Sequence, residues 1–135
     1  VVVTQCSAFM GPPTVAVFRE EGAEVFADDR DLAVGGACEA LIADAGEVDV
    51  LIANLAGPTF SGTATTALAD EQFEQAFALM VRPLHRLVRA VLPQMIARRA
   101  GKVVVYGSAS ALKGMKTLAA YSAARAAQVG YVQSV

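Results

Sequence analysis

Three times in this chain a helix-length segment closes on a glycine, a residue or two follow, and an apolar run rich in β-branched residues begins. Gly22 leads to Val25-Phe26, Gly46 to Val48 through Ala53, and Gly101 to Val103 through Tyr106. Runs without polar alternation are strands covered on both faces, and strands separated by helix-length crossovers are parallel. The pattern predicts an α/β chain: a doubly wound parallel sheet with helices on both faces and right-handed crossovers. Strands are expected near 1–5, 24–28, 48–53 and 103–107. Helices are expected near 12–21, 35–45, 70–99 with a kink around Pro83, and 119–135. The chain opens directly on Val1-Val2-Val3-Thr4 and closes inside a helix, so residues 1–135 read as part of a single domain whose last strands are absent.

Composition narrows the function. With 55% hydrophobic and 18% charged residues the chain is too apolar for a disordered segment. A net charge of −2, with both signs spread along the chain, leaves no basic stripe for phosphates, and nucleic acid is not an expected partner. No apolar run approaches the roughly 18 residues of a membrane helix, and no signal peptide is visible. A membrane partner is therefore not expected, and the expected location is cytoplasmic. Two cysteines, Cys6 and Cys38, with one histidine, His85, cannot build a zinc site or a disulfide framework, so no metal is expected.

Within the long helix, Phe73, Phe77, Met80, Leu84, Leu87, Val91 and Met95 recur at spacings of three and four, an apolar stripe read as core with part available to a subunit interface. Arg82, Arg86 and Arg89 form a second stripe, read as a solvated face. His85 has no carboxylate or cysteine at helical spacing and reads as a surface or interface residue.

Ligands of open parallel sheets gather beyond the carboxyl ends of the strands. After the first strand comes Thr4-Gln5-Cys6-Ser7-Ala8-Phe9-Met10-Gly11, leading to Pro12-Pro13 at a helix start. A pyrophosphate-binding turn wants glycines and free N–H groups here. This segment supplies one glycine and two prolines, although the positive end of the helix still favours a small anion. After the strand ending at Tyr106 comes Gly107-Ser108-Ala109-Ser110, with Tyr121 thirteen residues beyond Ser108 and Arg125 four further, on the same helix face. A strand-end serine and a helical tyrosine can converge on one substrate oxygen. A free phenol titrates near pH ~10, so it serves as a base at neutral pH only beside a cation. Arg125 supplies one.

These residues carry a resemblance. The chain resembles the N-terminal part of the short-chain dehydrogenase/reductase superfamily, with its Rossmann-like fold, and within it the halohydrin dehalogenases, including their B-type members. Ser108, Tyr121 and Arg125 match that family's Ser-x12-Tyr-x3-Arg, where dehydrogenases have Lys in place of Arg. Thr4 through Gly11 matches its Thr-x4-Phe/Tyr-x-Gly turn, whose aromatic residue lines a halide site where redox relatives hold nicotinamide. The resemblance implies catalysis by Ser108, Tyr121 and Arg125, and a halide and substrate pocket at Thr4, Phe9 and Gly11. The partners it implies are a vicinal haloalcohol or epoxide and a halide anion, with no cofactor. It also implies a homotetramer assembled partly through the long helix and the helix bearing Tyr121.

Departures from the dehydrogenase pattern agree. The turn keeps Thr4 and Gly11 but has Gln5 and Phe9 where that pattern has glycines. Met80 falls where dehydrogenases carry a water-anchoring Asn, and their Asn-Asn-Ala-Gly strand end here reads Ala53-Asn54-Leu55-Ala56. Between Arg30 and Val48 there is room for one helix but not for the further strand and helix of an adenosine site. Asp28 or Asp29 sits where a ribose-binding acid would, and reads more simply as a polar strand end. The alternative is an NAD- or NADP-dependent oxidoreductase of the same fold, its cofactor on Thr4, Gly11, Asp29 and Asn54. A further alternative is a non-catalytic binding relative.

Overall fold

The computed structural model describes residues 1–135. Its elements alternate: β1 (Val2–Thr4), α1 (Gly11–Glu20), β2 (Phe26–Asp28), α2 (Ala37–Ala45), β3 (Val50–Ala53), α3 (Asp70–Arg98), β4 (Lys102–Val105) and α4 (Ala119–Val132). Short 3-10 turns at Thr65–Ala67 and Ala109–Ala111 precede α3 and α4. All four strands are parallel, in the order β2-β1-β3-β4. This is the expected Rossmann-like α/β sheet; β1 is one residue short at each end, β2 and β3 begin two residues later than expected, and β4 begins one residue earlier and ends two residues earlier. A single helix joins β2 to β3, as the short Arg30–Val48 interval requires.

Strand alternation sorts the core into two layers. Val2, Leu51 and Ala53 point to one face and pack with Cys38, Leu41 and Ile42 of α2 and Leu84, Leu87, Val88, Val91 and Met95 of α3. Val3 and Ile52 point to the other and meet Val15 and Phe18 of α1. Helices thus cover both faces, but α1 covers the second one alone. Val104, which shares that face, is 40% exposed.

The apolar stripe of α3 is core from Met80 to Met95, whereas Phe73 is 39% exposed and stacks on Phe77 at 5.1 Å. Helix α3 runs through Pro83 and Pro93. Pro83 is buried against α2, where the Cys38 thiol lies 3.8 Å from its carbonyl, so packing offsets the backbone hydrogen bond that proline removes. Burial, with the charge of Glu39, pushes that thiol up to about 11, leaving Cys38 an inert core residue. The arginine stripe is only partly the solvated face the spacing suggests. Arg86 is half-buried and donates to the Ala33 carbonyl, and Arg89 pairs with Glu39 at 2.6 Å, so both bind α3 to the α2 layer. His85 is exposed, with Nδ1 3.1 Å from the Tyr131 hydroxyl.

Candidate active site

The loop between β1 and α1 keeps a glycine-type backbone without the glycines. Gln5 and Phe9 have φ of 45° and 50°, left-handed values that cost an L-residue about 1–2 kcal/mol each. Gly11 remains because a Cβ there would lie 2.5 Å from both the Gln5 and Cys6 carbonyl oxygens. Side chains brace this loop from outside. The Asn54 amide donates to the Gln5 and Ala8 carbonyls at 2.9 and 2.8 Å, and Gln5 Oε1 accepts the Ala56 N–H at 2.7 Å. Thr4, wholly buried, commits its hydroxyl to the Asn54 carbonyl. Of Thr4, Phe9 and Gly11, only Phe9 presents its side chain outward, 55% exposed.

Asp29 is the remaining brace, accepting from the Ser7 N–H at 3.0 Å and the Cys6 thiol at 3.2 Å. The Ser7 N–H, aided by the Cys6 thiol, holds its carboxyl below the usual carboxylate range. A carboxyl depressed in the folded state stabilises above its unfolded titration range, and that contribution disappears as pH falls through the folded one. Asp29→Asn is therefore expected to melt below the wild type at neutral pH, with the two curves converging in acid. A constant difference at every pH would assign the effect elsewhere.

Tyr121 and Arg125 come from the first two turns of α4. Arg125 is 1% exposed and forms no ion pair. Its guanidinium carbon lies 5.1 Å from the Tyr121 ring centre and 5.8 Å from that of Phe9. The Nη1 group donates to the Tyr106 carbonyl at 2.8 Å and to Gln128 Oε1 at 3.0 Å, while Nε is buried without a partner. Phe9 also meets the Tyr106 ring edge to face at 6.3 Å. Burying a charge without a counter-ion costs several kcal/mol, and two carbonyl acceptors with two aromatic faces are what this site sets against it.

Ser108 caps the 3-10 turn Ala109–Ala111, which packs on α4. Its Oγ accepts from the Ser110 N–H at 3.2 Å and the Ser110 hydroxyl at 2.9 Å, leaving its own proton to donate outward. The Tyr121 hydroxyl makes no hydrogen bond within the chain, as suits a group that meets a ligand. Neither Ser110 nor Gln128 carries a functional signal in the sequence; both are buried polar residues whose partners only the fold reveals.

The residues of the loop do not fit a dinucleotide as arranged. The first three residues of α1 are Gly11, whose N–H is bonded to Ala8 at 2.8 Å, and Pro12 and Pro13, which have none. Pyrophosphate takes its donors from such a helix start. The acids beside β2 are also engaged: Asp29 as above, and Asp28 with Arg30 at 2.9 Å, itself bridged to Asp44 at 3.0 Å. The N–H groups of Phe9 and Met10 make no hydrogen bond within the chain, so they are the donors the loop still offers.

Parallel sheet, strand-end serine and helical tyrosine together define the class, and the family profile described as short chain dehydrogenase matches residues 1–135. The chain belongs to the short-chain dehydrogenase family. It is 26% identical over 155 aligned positions to "Dehydrogenase/reductase SDR family member 6" of Rattus norvegicus, covering all of this chain and 62% of that protein. Aligned positions outnumber the 135 residues here, so that relative has segments without a counterpart in this chain. Among solved structures, a protein described as "Dehalogenation enzyme" superposes with a TM-score of 0.84 at 26% identity, over 96% of this chain and 62% of its own. A halohydrin dehalogenase (HheC) bound to ethyl (2S)-oxiran-2-ylacetate gives 0.84 at 21% identity, over 98% and 62%, a likeness of fold. The chain thus spans 62% of the length of the first relatives it matches.

Proposed function

We propose that the protein is a halohydrin dehalogenase, converting vicinal haloalcohols to epoxides and halide without a redox cofactor. The observation that carries this reading is the fully buried, unpaired guanidinium of Arg125 set between the Tyr121 and Phe9 rings, beside a loop whose helix start lacks the donors for pyrophosphate. The likeness to the dehalogenation enzyme supports it.

In the proposed reaction the substrate hydroxyl lies between Tyr121 and Ser108. Tyr121 takes its proton, Arg125 lends positive charge beside the receiving oxygen, and Ser108 donates a hydrogen bond to the substrate oxygen. That oxygen forms a bond to the neighbouring carbon as the carbon–halogen bond breaks. The halide leaves with the bonding electrons toward the Phe9 side, where the Phe9 and Met10 N–H groups can receive it. In reverse, a small anion opens the epoxide. The exposed Phe73 and half-buried Phe77 of α3 suit the proposed homotetramer, built through α3 and α4.

The second reading, an NAD- or NADP-dependent oxidoreductase, is favoured by the dehydrogenases and reductases among the sequence relatives. Two measurements on the intact protein separate them. Halide release from a simple vicinal haloalcohol, in buffer free of nicotinamide, is expected. Submillimolar NADH or NADPH binding by fluorescence, with no halide released from a panel of haloalcohols, would transfer the assignment to the oxidoreductase.

A further inference from the structure

Of the two acceptors that hold Arg125, one is a side chain. Gln128, one helical turn along α4 and 1% exposed, accepts from Arg125 Nη1 at 3.0 Å and donates its amide to the Met80 carbonyl of α3 at 2.8 Å. Met80 is itself wholly buried, so the chain Arg125–Gln128–Met80 runs through the dry contact between the two helices. A carboxylate of the same length would grip a guanidinium more strongly than an amide does. It would also neutralise the cation and face the Met80 carbonyl with a second acceptor. An amide satisfies both neighbours and leaves the charge unpaired.

We infer that Gln128 is a positioning residue, which fixes the Arg125 guanidinium without neutralising it and so keeps its charge available to Tyr121. The inference deepens the proposed function and rests on that reading of Tyr121 as the base. Around the guanidinium, the groups able to change charge are Tyr121 on its own helix and Tyr106 at the end of β4, whose phenol is bonded to Thr14 of α1. The β1–α1 loop contributes the Phe9 ring and α3 the Met80 carbonyl, reached through Gln128, while no carboxylate pairs with Arg125.

The test uses the intact protein and two variants. Gln128→Glu places a carboxylate beside Nη1. The tyrosinate absorbance of Tyr121, isolated by subtracting a Tyr121→Phe titration, is expected to move to higher pH by about one unit or more, and the rising limb of the halide-release profile to move with it. Gln128→Met keeps the length and removes the acceptor. Its tyrosinate titration is expected to move the same way by a smaller amount, and kcat to fall about tenfold or more at similar KM, because the guanidinium loses one of its two anchors. A merely structural Gln128 would lower the melting temperature of Gln128→Met and move neither its titration nor its kcat. An unmoved Tyr121 titration in Gln128→Glu overturns the inference. If that variant does not fold, wild-type kcat in Gln128→Met overturns it. Tyrosinate absorbance needs no turnover, so a shifted titration in a protein that releases no halide removes the proposed reaction and retains the positioning role.

Discussion

Tyr121→Phe is expected to cut halide release by about 10²- to 10⁴-fold while barely moving the melting temperature. The substitution removes the proton acceptor, and acid–base groups of this kind contribute roughly 10²–10⁴ in rate. It keeps the aromatic face 5.1 Å from the Arg125 guanidinium, so the packing that helps hold a buried cation survives. The Tyr121 hydroxyl has no protein partner whose loss would destabilise the fold. Arg125→Lys is the companion variant. A lysine keeps the charge but not the planar group that lies against two rings while Nη1 reaches the Tyr106 and Gln128 acceptors. It is expected to lose about 10²-fold in kcat and, unlike Tyr121→Phe, to lower the melting temperature, since Gln128 and Tyr106 lose a designed donor. Steady-state halide release with paired thermal melts checks both. Comparable rates for Tyr121→Phe and the wild type would remove Tyr121 as the base.

How far the sequence could be read depended on what kind of signal each residue left. Strands and helices were legible because Gly22, Gly46 and Gly101 punctuate apolar runs whose lengths separate the two kinds of element. Gly46, for example, ends α2 with φ of 68°, a conformation that its type announces. The Ser108, Tyr121 and Arg125 positions were legible from spacing, because a strand end and one helix face fix where they fall. The state of the β1–α1 loop was not. Replacing glycine by Gln5 and Phe9 suggests that the turn has lost its shape, yet both residues keep positive φ because Asn54, distant in sequence, holds the Gln5 and Ala8 carbonyls. The role of Gln128 was equally hidden. A neutral amide in an amphipathic helix carries no periodic signature, and only the packing of α4 on α3 turns it inward.

Phe9→Gly separates the two properties that this aromatic residue brings to the loop. In stability the relief of about 1–2 kcal/mol of left-handed strain is outweighed by the loss of the edge-to-face contact with Tyr106, worth about 0.5–1.5 kcal/mol, together with the face on the buried guanidinium, worth about 2 kcal/mol. The melting temperature is expected to fall. Activity falls as well, because the ring is one of two faces on the buried guanidinium. A desolvated contact of this type is worth about 2 kcal/mol, so kcat is expected to fall by up to about 30-fold. Dinucleotide binding is not expected to appear in exchange. Clearing the space leaves Pro12 and Pro13 at the start of α1, without the N–H groups that pyrophosphate takes, and leaves Asp28 and Asp29 engaged by Arg30 and by the loop itself. NADH fluorescence titration of Phe9→Gly decides the point: submillimolar binding gained by this single change would make the ring the sole barrier and leave the prolines without a part in excluding the cofactor.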